Sequence, residues 1–387
     1  MTVLGLALVA GAVALTGFAY AGYPLLLWLV APRGRAAPPR ERREWPMLSI
    51  TVPAYNEEHA IAATIERVLD LDYPADRRQI LVVSDASSDR TDEIVRGFAS
   101  RGVELLRLPS RAGKSAAENA ARTHLRGEIV VNTDASVRLD RTSLKPLIAA
   151  FDDPTVGAAS GRDVSESSVR SDGNAGESGY VGYEMWVRDL ETRVGGIVGA
   201  SGCFYATRLP LHLEAVPDAL SRDFAAPLIA REHGLRTVSV PQAICYVPRQ
   251  ASVQREYRRK VRTMTRGLGT LFYKRQLLNP ARYGRFAWML WSHKLLRWLV
   301  PWAAVAALGG LALGAADGAW WGVAGLGAAA AGGVAALVVW RLPEEAPVPR
   351  LLGMPAYVVL GLVAGLHAWV NALRGDLKAV WEPTRRS

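Results

Sequence analysis

The strongest constraint on the fold is the amino-terminal segment Thr2–Pro32, which contains no Asp, Glu, Lys or Arg. A helix needs about 20 apolar residues to cross a bilayer, so this segment is long enough to span one. A cleaved signal peptide is the alternative, because Ala19-Tyr20-Ala21 resembles a cleavage site, but the basic region that begins such peptides is missing. We therefore predict an amino-terminal transmembrane anchor over residues 1–32.

Basic residues follow the anchor at Arg33, Arg35, Arg40, Arg42 and Arg43. Membrane proteins keep such excesses of Arg and Lys on the cytoplasmic side of the bilayer. The amino terminus is therefore predicted to lie outside, and residues 33–248 are predicted to form a cytosolic domain. The protein is expected to be an integral, multi-pass protein of the plasma (inner) membrane.

A second apolar region begins near Trp288 and runs almost to the carboxyl end of the chain. Two stretches in it are clear membrane spans: Leu299–Leu313 and Trp320–Trp340. A third, Leu351–Leu373, either crosses the bilayer or lies in its interface. Crossing would put the basic tail outside, against the positive-inside rule. We predict a membrane region of two or three helices over 299–373 and a basic tail over 374–387.

The net charge of +10 is compatible with nucleic-acid binding, but the basic residues concentrate beside the membrane segments. Anionic lipid headgroups account for them more simply, so membrane lipids are expected partners and nucleic acid is not. The two cysteines, Cys203 and Cys245, fall in the predicted cytosolic part without metal-ligand spacing. They are interpreted as ordinary small residues.

Residues 249–298 are predicted to form basic amphipathic helices at the membrane surface. Arginines recur there at helical spacing, opposite an apolar stripe: Arg255, Arg259, Arg262 and Arg266. These side chains are expected to meet lipid phosphates, with Arg262 as the exception because of a motif described below.

Strand-like runs alternate with helical patterns between about residue 46 and residue 247, which predicts an α/β domain with a mainly parallel sheet and helices on both faces. The first strands are predicted at Met47–Val52, Ile80–Ser84, Val103–Arg107 and Glu128–Asn132. Later strands are predicted near Val156–Ser160, Gly202–Thr207 and Arg236–Val240. The polar segment Gly161–Gly179 is predicted to be a mobile loop.

Polar and acidic residues follow the first two strands. In the run Ile50–Glu58 the strand is predicted to break at Pro53, which places Tyr55, Asn56 and Glu57 at the carboxyl edge, where open α/β sheets bind ligands. Asp85 ends the second strand at the same edge, where its carboxylate can accept hydrogen bonds from a base or ribose. Asp89 is interpreted as a helix N-cap.

Asp134 follows the fourth apolar strand. A divalent ion that bridges a diphosphate can be held there by one carboxylate and waters, although a solvated turn Asp is equally compatible with this position alone. The turn Gly113-Lys114 opens an alanine-rich helix, and its free amides and ammonium suit a phosphate. Asp223 is a candidate general base, or else it or Ser221 caps a helix.

In this order the motifs resemble family 2 inverting glycosyltransferases, the group that includes cellulose, chitin, hyaluronan and poly-N-acetylglucosamine synthases. The resemblance covers nearly the whole chain and implies a GT-A fold. It implies that Pro53, Tyr55 and Glu57 line the donor site, that Asp85 contacts the uracil end, and that Lys114, with Asn119, serves the diphosphate.

The resemblance also implies the catalytic and acceptor residues. Ser221-Arg222-Asp223 stands where the family has Thr-Glu-Asp, which makes Asp223 the base. Ser201-Gly202-Cys203 resembles the acceptor loop. Asp134-Ala135-Ser136 occupies the position of the family's Asp-x-Asp motif, so the resemblance implies Mg²⁺ or Mn²⁺ at Asp134 and Ser136. Because Ser136 replaces the second carboxylate, the ion is expected to bind more weakly.

Two further motifs are less complete. The family's Gln-x-x-Arg-Trp acceptor motif corresponds to Arg259–Thr263, which keeps Arg262 and loses the tryptophan that stacks on an acceptor sugar. Trp381, Thr384 and Arg385 resemble a gating loop, which requires a cytosolic tail.

The implied activity is hexosyl transfer with inversion from a nucleotide sugar, UDP-linked by resemblance, to a growing cell-surface polysaccharide or exopolysaccharide. The missing tryptophan supports an alternative, single-sugar transfer to a polyprenyl phosphate or another lipid-linked acceptor. Ser136 motivates a second alternative, an inactive membrane-anchored nucleotide-sugar sensor or assembly partner.

Overall fold

The structure, a computed structural model, describes residues 1–32, 44–166, 175–248, 252–343 and 348–377. Within these residues, the α/β part is built on one sheet of eight strands. The strands are β1 (Leu48–Ala54), β2 (Arg78–Ser84), β3 (Val103–Arg107), β4 (Ile129–Thr133), β5 (Arg138–Leu139), β6 (Val156–Glu166), β7 (Phe204–Arg208) and β8 (Arg236–Pro248). All the predicted strands are present, and the two-residue β5 was not predicted.

The sheet has the order β3-β2-β1-β4-β7-β6-β8-β5. Strands β3, β2, β1 and β4 run parallel, and β7 joins β4 in the antiparallel sense. Strand β6 is antiparallel to β7 and parallel to β8. The predicted mainly parallel α/β domain is therefore confirmed. Because the chain from β1 goes to β2 and returns later to β4, a topological switch point lies between β1 and β4, where such sheets open a ligand crevice.

Helices pack on both faces of the sheet and continue into the membrane region. They are α1 (Thr2–Gly17), α2 (Tyr23–Val30), α3 (Ile61–Leu69), α4 (Thr91–Arg96), α5 (Lys114–Ala121), α6 (Leu144–Ala149), α7 (Ala175–Val194), α8 (Leu209–His212), α9 (Arg222–Glu232), α10 (Val253–Tyr273), α11 (Pro280–Leu290), α12 (Leu296–Ala316), α13 (Trp320–Arg341) and α14 (Arg350–Arg374). Single π-helical turns at Phe18–Gly22 and Trp291–Leu295 join α1 to α2 and α11 to α12.

The two faces of the parallel strands have separate cores. Ile50 and Val52 of β1 pack with Ile65 of α3 on one face, and Val83 of β2 packs with Ala117 of α5 on the other. Burying a large aliphatic side chain contributes about 1.5–3 kcal/mol, so these apolar runs stabilise central strands that are covered on both sides.

Two sequence predictions about this domain are wrong. Strand β1 does not break at Pro53 but continues to Ala54, and its pairing with β4 stops at Thr51, so the proline nitrogen is not needed in that ladder. The segment Gly161–Gly179 is not simply a loop, because β6 extends to Glu166 and α7 begins at Ala175.

The second half of β6 was not predicted because its side chains are polar. Its backbone nevertheless pairs with β8, and this pairing does not require apolar side chains. Residues Arg162–Glu166 pair with Ile244–Pro248 after a register shift at Gly161. A Cβ atom at Gly161 would lie 2.5 Å from the Phe204 ring and 2.8 Å from the Ala243 carbonyl oxygen, so glycine permits the close approach there.

In the part of the chain that the structure describes, four helical segments are long and apolar enough to cross a membrane: Thr2–Val30, Pro280–Ala316, Trp320–Arg341 and Leu351–Arg374. The first segment packs along α12 with Gly5 facing Gly310. A Cβ atom at Gly5 would lie 2.6 Å from the Gly310 carbonyl oxygen, and one at Gly310 would lie 2.5 Å from the Gly5 carbonyl oxygen. Such small residues allow close helix packing in a bilayer. The predicted third segment is thus a candidate span by length and composition.

Helix α10 packs against α14 through its apolar stripe. Val261 and Leu268 are buried, Tyr257 lies edge-on to the ring system of Trp340, and the Thr265 hydroxyl approaches the Ala368 carbonyl at 3.5 Å. The predicted amphipathic pattern is therefore present, and its apolar face contacts the membrane helices.

Candidate active site

The turns that follow β1 and β2 are joined to each other. Asn56 and Ala86 have φ values of 51° and 56°, in the left-handed region that non-glycine residues rarely adopt. The side-chain oxygen of Asn56 accepts a hydrogen bond from the Ser88 backbone amide (2.8 Å), and the Asn56 backbone amide donates to the Ser87 hydroxyl (3.2 Å). Backbone strain of this kind clusters at ligand sites, where surrounding contacts hold it.

Asp89 further fixes these turns. It accepts hydrogen bonds from the Thr91 amide (3.0 Å) and the Glu58 amide (3.1 Å). The predicted N-cap is wrong by one position, because Arg90 is the N-cap of α4 and Asp89 forms an Asx turn just before it. Burial alone would raise the pKa of Asp89, but these hydrogen bonds outweigh it and lower the pKa. Glu57 is buried, and its amide donates to the Thr91 hydroxyl (2.8 Å).

The edge of the cleft carries a flat, cationic surface. The Arg111 guanidinium lies 4.0 Å from the centre of the Tyr55 ring. Asp85 is buried behind it and accepts hydrogen bonds from the amides of Ala112 (2.7 Å) and Gly113 (2.8 Å). Gly113 has a φ of 96°, which allows the turn to point both amides at this carboxylate. Asp85 therefore holds the start of α5 against the end of β2.

Lys114, the first residue of α5, is the electrostatic centre of the cleft. Its ammonium donates to the Asp134 carboxylate and to the Gly202 carbonyl oxygen (2.7 Å), and it lies 3.9 Å from Glu118 Oε1. Burial alone would lower the pKa of Lys114, but the carboxylates of Asp134, Glu118 and Asp223 outweigh it and raise the pKa. The side chain is therefore a permanent cation.

Asp223 lies in the first turn of α9 and faces the predicted acceptor loop. A Cβ atom at Gly202 would be 2.9 Å from Asp223 Oδ2, so the absence of a side chain at 202 leaves room for this carboxylate. Ser201 donates to Asp163 Oδ1 (2.6 Å) and its amide donates to the Ser160 hydroxyl (2.8 Å). The structure thus places Asp223 and the loop Ser201–Cys203 beside Lys114 and Asp134.

Two carboxylates of this cleft were not predicted. Glu118 lies one turn after Lys114 and is 1% exposed, and burial raises its pKa against the attraction of Lys114 and Arg222. Burial likewise raises the pKa of Asp163, although Arg188 and Ser201 lower it. The spacing of Glu118 from Lys114 was a usable signal, whereas Asp163 lay in the segment interpreted as a loop.

Asp134 offers a carboxylate to a divalent ion. It is about one quarter exposed, and Ser136 lies half-buried in the turn that follows. Among the described residues, no cluster of three or more His, Cys, Asp or Glu side chains forms a metal site. One carboxylate nevertheless fits a Mg²⁺ or Mn²⁺ ion whose other ligands are waters and phosphate oxygens of a substrate.

Helix α10 is bonded directly to the segment that precedes Asp223. The Arg266 guanidinium donates to the carbonyl oxygens of Leu220 (2.5 Å) and Ala219 (3.2 Å) and to the Ser115 hydroxyl (2.7 Å). The expectation that Arg266 meets lipid phosphate is therefore wrong, because its guanidinium is bonded to backbone carbonyls just before α9 and to a hydroxyl at the start of α5.

The remaining predicted residues have mixed outcomes. Asn119 does not point freely to a diphosphate, because its amide donates to the Val216 carbonyl and to Asp218, both at 2.6 Å. Arg259 pairs with Glu256 on its own helix (2.7 Å), and the acceptor roles of Arg259 and Arg262 stay predictions. The gating residues Trp381, Thr384 and Arg385 lie outside the described residues.

The sheet has strained turns, a lysine at a helix start and carboxylates close to its switch point. These features are those of the GT-A class of nucleotide-sugar glycosyltransferase domains. Residues 49–205 match the family described as Glycosyl transferase family 2. The matched segment is a family 2 glycosyltransferase domain, and it contains Asp85, Lys114 and Asp134.

Relatives and a solved structure support this assignment. An N-acetylglucosaminyltransferase of Rhizobium meliloti is 28% identical over 229 residues, 54% of this chain and 53% of that protein. A beta-monoglucosyldiacylglycerol synthase of Trichormus variabilis is 29% identical over 156 residues, 39% of this chain and 33% of that protein. The chain thus spans about half and about a third of these relatives.

The similarity to one solved structure extends over the whole chain. The mannosyltransferase PcManGT of Pyrobaculum calidifontis, solved with GDP-Man and Mn²⁺, superposes with a TM-score of 0.71 and 26% identity. The match covers 95% of this chain and 99% of that one, so it includes the candidate membrane spans of this chain as well as its GT-A domain.

Proposed function

We propose that this protein is a membrane-bound glycosyltransferase that moves a sugar with inversion from a nucleotide sugar to an acceptor presented at the membrane surface. The observation that carries the proposal is the placement of Asp223, Lys114 and Asp134 around the acceptor loop Ser201–Cys203. A base, a fixed cation and a candidate metal ligand are the groups that this displacement needs.

Each residue has a distinct task in the proposed reaction. Tyr55 and Arg111 hold the base of the donor at the outer edge of the cleft, and the Lys114 ammonium at the start of α5 faces its diphosphate. Asp223 removes the proton of the acceptor hydroxyl as its oxygen bonds to the anomeric carbon and the bond to the diphosphate breaks. Lys114 stabilises the negative charge that develops on the leaving group.

A divalent ion, when bound, neutralises charge on the diphosphate, and Asp134 with Ser136 would hold it. The Mn²⁺ in the PcManGT structure supports Mg²⁺ or Mn²⁺ as the cofactor. UDP, which the sequence resemblance implies, and GDP, which that neighbour binds, are both candidate nucleotides.

A lipid-anchored acceptor suits this cleft better than a free polysaccharide chain. Phe224, next to the proposed base, packs edge-on against Trp298 of α12, with ring centres 5.7 Å apart, so Asp223 lies directly beside a membrane helix. Thr263, which stands where processive relatives have a stacking tryptophan, is exposed. The named lipid product of the Trichormus relative supports the same choice.

Release of nucleoside diphosphate tests the proposed activity. Purified full-length protein in lipid nanodiscs is expected to release UDP or GDP from one or a few members of a panel of UDP- and GDP-sugars when membrane lipid extract is added. Mg²⁺ or Mn²⁺ should stimulate release, and EDTA should suppress it. Product sizing separates one sugar on a lipid from a polymer ladder. The absence of release with every donor would favour the inactive sensor.

Replacing Arg266 with glutamine is expected to lower kcat by about tenfold with a smaller change in KM for the donor. The substitution weakens the hydrogen bonds that hold Leu220 and the start of α5. Small displacements of catalytic groups lower the reaction rate strongly, which is the reason for the expected loss. Steady-state kinetics of the active donor pair measures the effect, and Arg266→Lys should recover part of it. The control is Arg193→Gln, an exposed arginine on α7. Unchanged kcat would contradict a positioning role.

A further inference from the structure

A cluster of buried charges joins α7 to the first membrane helices. We call it the junction cluster, and its members are Tyr23, Glu184, Arg188, Glu191, His293, Lys294 and Arg297. The proposed reaction uses none of these side chains. Buried charges are costly unless they are paired, so each one needs a partner.

The two carboxylates are already occupied by part of the cluster. His293 faces Glu184 through Nε2 (2.9 Å) and Glu191 through Nδ1 (2.6 Å). Both ring nitrogens therefore contact a carboxylate oxygen, and His293 engages both glutamates. Arg297 donates to Glu184 Oε2 (2.9 Å), and the Tyr23 hydroxyl donates to Glu191 (2.5 Å).

Two cations are left without comparable bonds. Arg188 Nε and Lys294 Nζ lie 3.6 and 3.8 Å from the same oxygen of Glu184, which is beyond hydrogen-bond length. Arg188 is only 8% exposed, and within the described part of the chain its Nε and Nη1 atoms have no hydrogen-bond partner. This guanidinium is therefore buried with unused donors.

The nearby carboxylates do not satisfy the unused donors of Arg188. Asp163 is the further carboxylate that acts on Arg188, but burial raises its pKa and it accepts the Ser201 hydroxyl (2.6 Å). Glu184 and Glu191 are already engaged by His293, Arg297 and Tyr23. An additional anion would complete the site.

Lys294 lies close to the proposed acceptor loop and to the residue after the proposed base. A Cβ atom at Gly199, two residues before Ser201, would be 3.0 Å from Lys294 Nζ. The same ammonium is 5.8 Å from the centre of the Phe224 ring, and Phe224 adjoins the proposed base. Lys294 itself belongs to the candidate membrane span Pro280–Ala316. A ligand that contacts both cations would therefore be anchored in the lipid and reach toward Asp223.

We propose that Arg188 and Lys294 bind the phosphate of a lipid-anchored acceptor. The inference rests on the proposed function and specifies its acceptor as a phospholipid-type molecule rather than a neutral diacylglycerol or a free glycan. Arg188 offers planar donors and Lys294 a point charge, a combination suited to phosphate. The phosphate is not consumed: a hydroxyl of the same acceptor gives its proton to Asp223 and forms the glycosidic bond as nucleoside diphosphate leaves.

Direct binding tests this site without a donor. Full-length protein in phosphatidylcholine nanodiscs is titrated with farnesyl phosphate, farnesol, inorganic phosphate and phosphatidylglycerol, and binding is measured by calorimetry. Farnesyl phosphate is expected to bind at least tenfold more tightly than farnesol. Lys294→Met and Arg188→Gln should each weaken farnesyl phosphate binding about tenfold, and Lys294→Arg should retain most of it. Lys274→Met, which removes a lysine paired with Glu232 at 2.6 Å, should leave it unchanged.

Several results would overturn the assignment. Equal binding of farnesol, or unchanged binding by both Lys294→Met and Arg188→Gln, would show that the cations do not recognise phosphate. Equally tight inorganic phosphate would indicate a free-anion site. Phosphatidylglycerol carries both a phosphate and free hydroxyls, so binding of this lipid that Lys294→Met and Arg188→Gln weaken would support the assignment, and binding that both variants retain would indicate a bulk-lipid contact. Variants are compared only if their thermal unfolding midpoints match that of the parent. Failure of the proposed activity would appear separately, as absent nucleoside diphosphate release with binding intact.

Discussion

Replacing Asp223 with asparagine is expected to lower kcat by about 10²- to 10⁴-fold, the usual contribution of a general base. The amide has the same shape as the carboxylate, so it should fit against Gly202, but it cannot accept the proton of the acceptor hydroxyl. Donor binding should persist, because the proposed base-binding surface of Tyr55 and Arg111 is a separate part of the cleft.

The measurement for Asp223→Asn combines sugar transfer, with the active donor, and equilibrium binding of the corresponding nucleoside diphosphate. Asp189→Asn is the matched control, because Asp189 is a surface residue of α7 that pairs with Arg193. Undiminished transfer by the Asp223 variant would remove this residue from the role of base. Loss of transfer together with loss of nucleotide binding would instead indicate a structural defect.

Replacing Lys114 with methionine is expected to lower kcat/KM by about 10²- to 10³-fold, because removal of one preorganised charge-stabilising donor has effects of this size. The methionine side chain keeps the length of the lysine but not its charge. Asp134, Glu118 and Asp223 would then face one another without the intervening cation, so affinity for the diphosphate should also fall.

Steady-state kinetics and nucleoside diphosphate binding measure the effect of Lys114→Met. The control is Lys145→Met, which removes a partly exposed lysine of α6 that pairs with Asp72. Lys114→Arg should recover only part of the rate, because the guanidinium keeps the charge but is larger than an ammonium. An unchanged kcat/KM in Lys114→Met would contradict a role for this side chain in the reaction.

Much of the fold could be predicted because its determinants are local. The charge-free run Thr2–Pro32 and the apolar runs that became β1, β2 and β4 are each readable within a single element. The prediction failed at β6, where Asp163 and its polar neighbours are held in a strand by pairing with β8. That partner lies about 80 residues away along the chain, so no local pattern reports it.

The candidate site was predictable to the extent that it follows strand ends. Asp85 and Asp134 come directly after parallel strands, and such ends meet at one edge of a sheet. Glu118 was missed although it is one helical turn from Lys114, because an acidic residue on a helix is usually solvated and only packing makes it 1% exposed.

The sequence by itself determined the membrane segments, the α/β domain and the order of the motif residues, since hydropathy and strand patterning are properties of neighbouring residues. Only the tertiary structure decided that Arg266 bonds to Ser115, and that Arg188 and Lys294 share one carboxylate beside Gly199. Except for the Arg188–Glu184 pair, which spans one turn of α7, these contacts join residues about 95 positions or more apart. Their charges interact strongly only because packing removes the water between them.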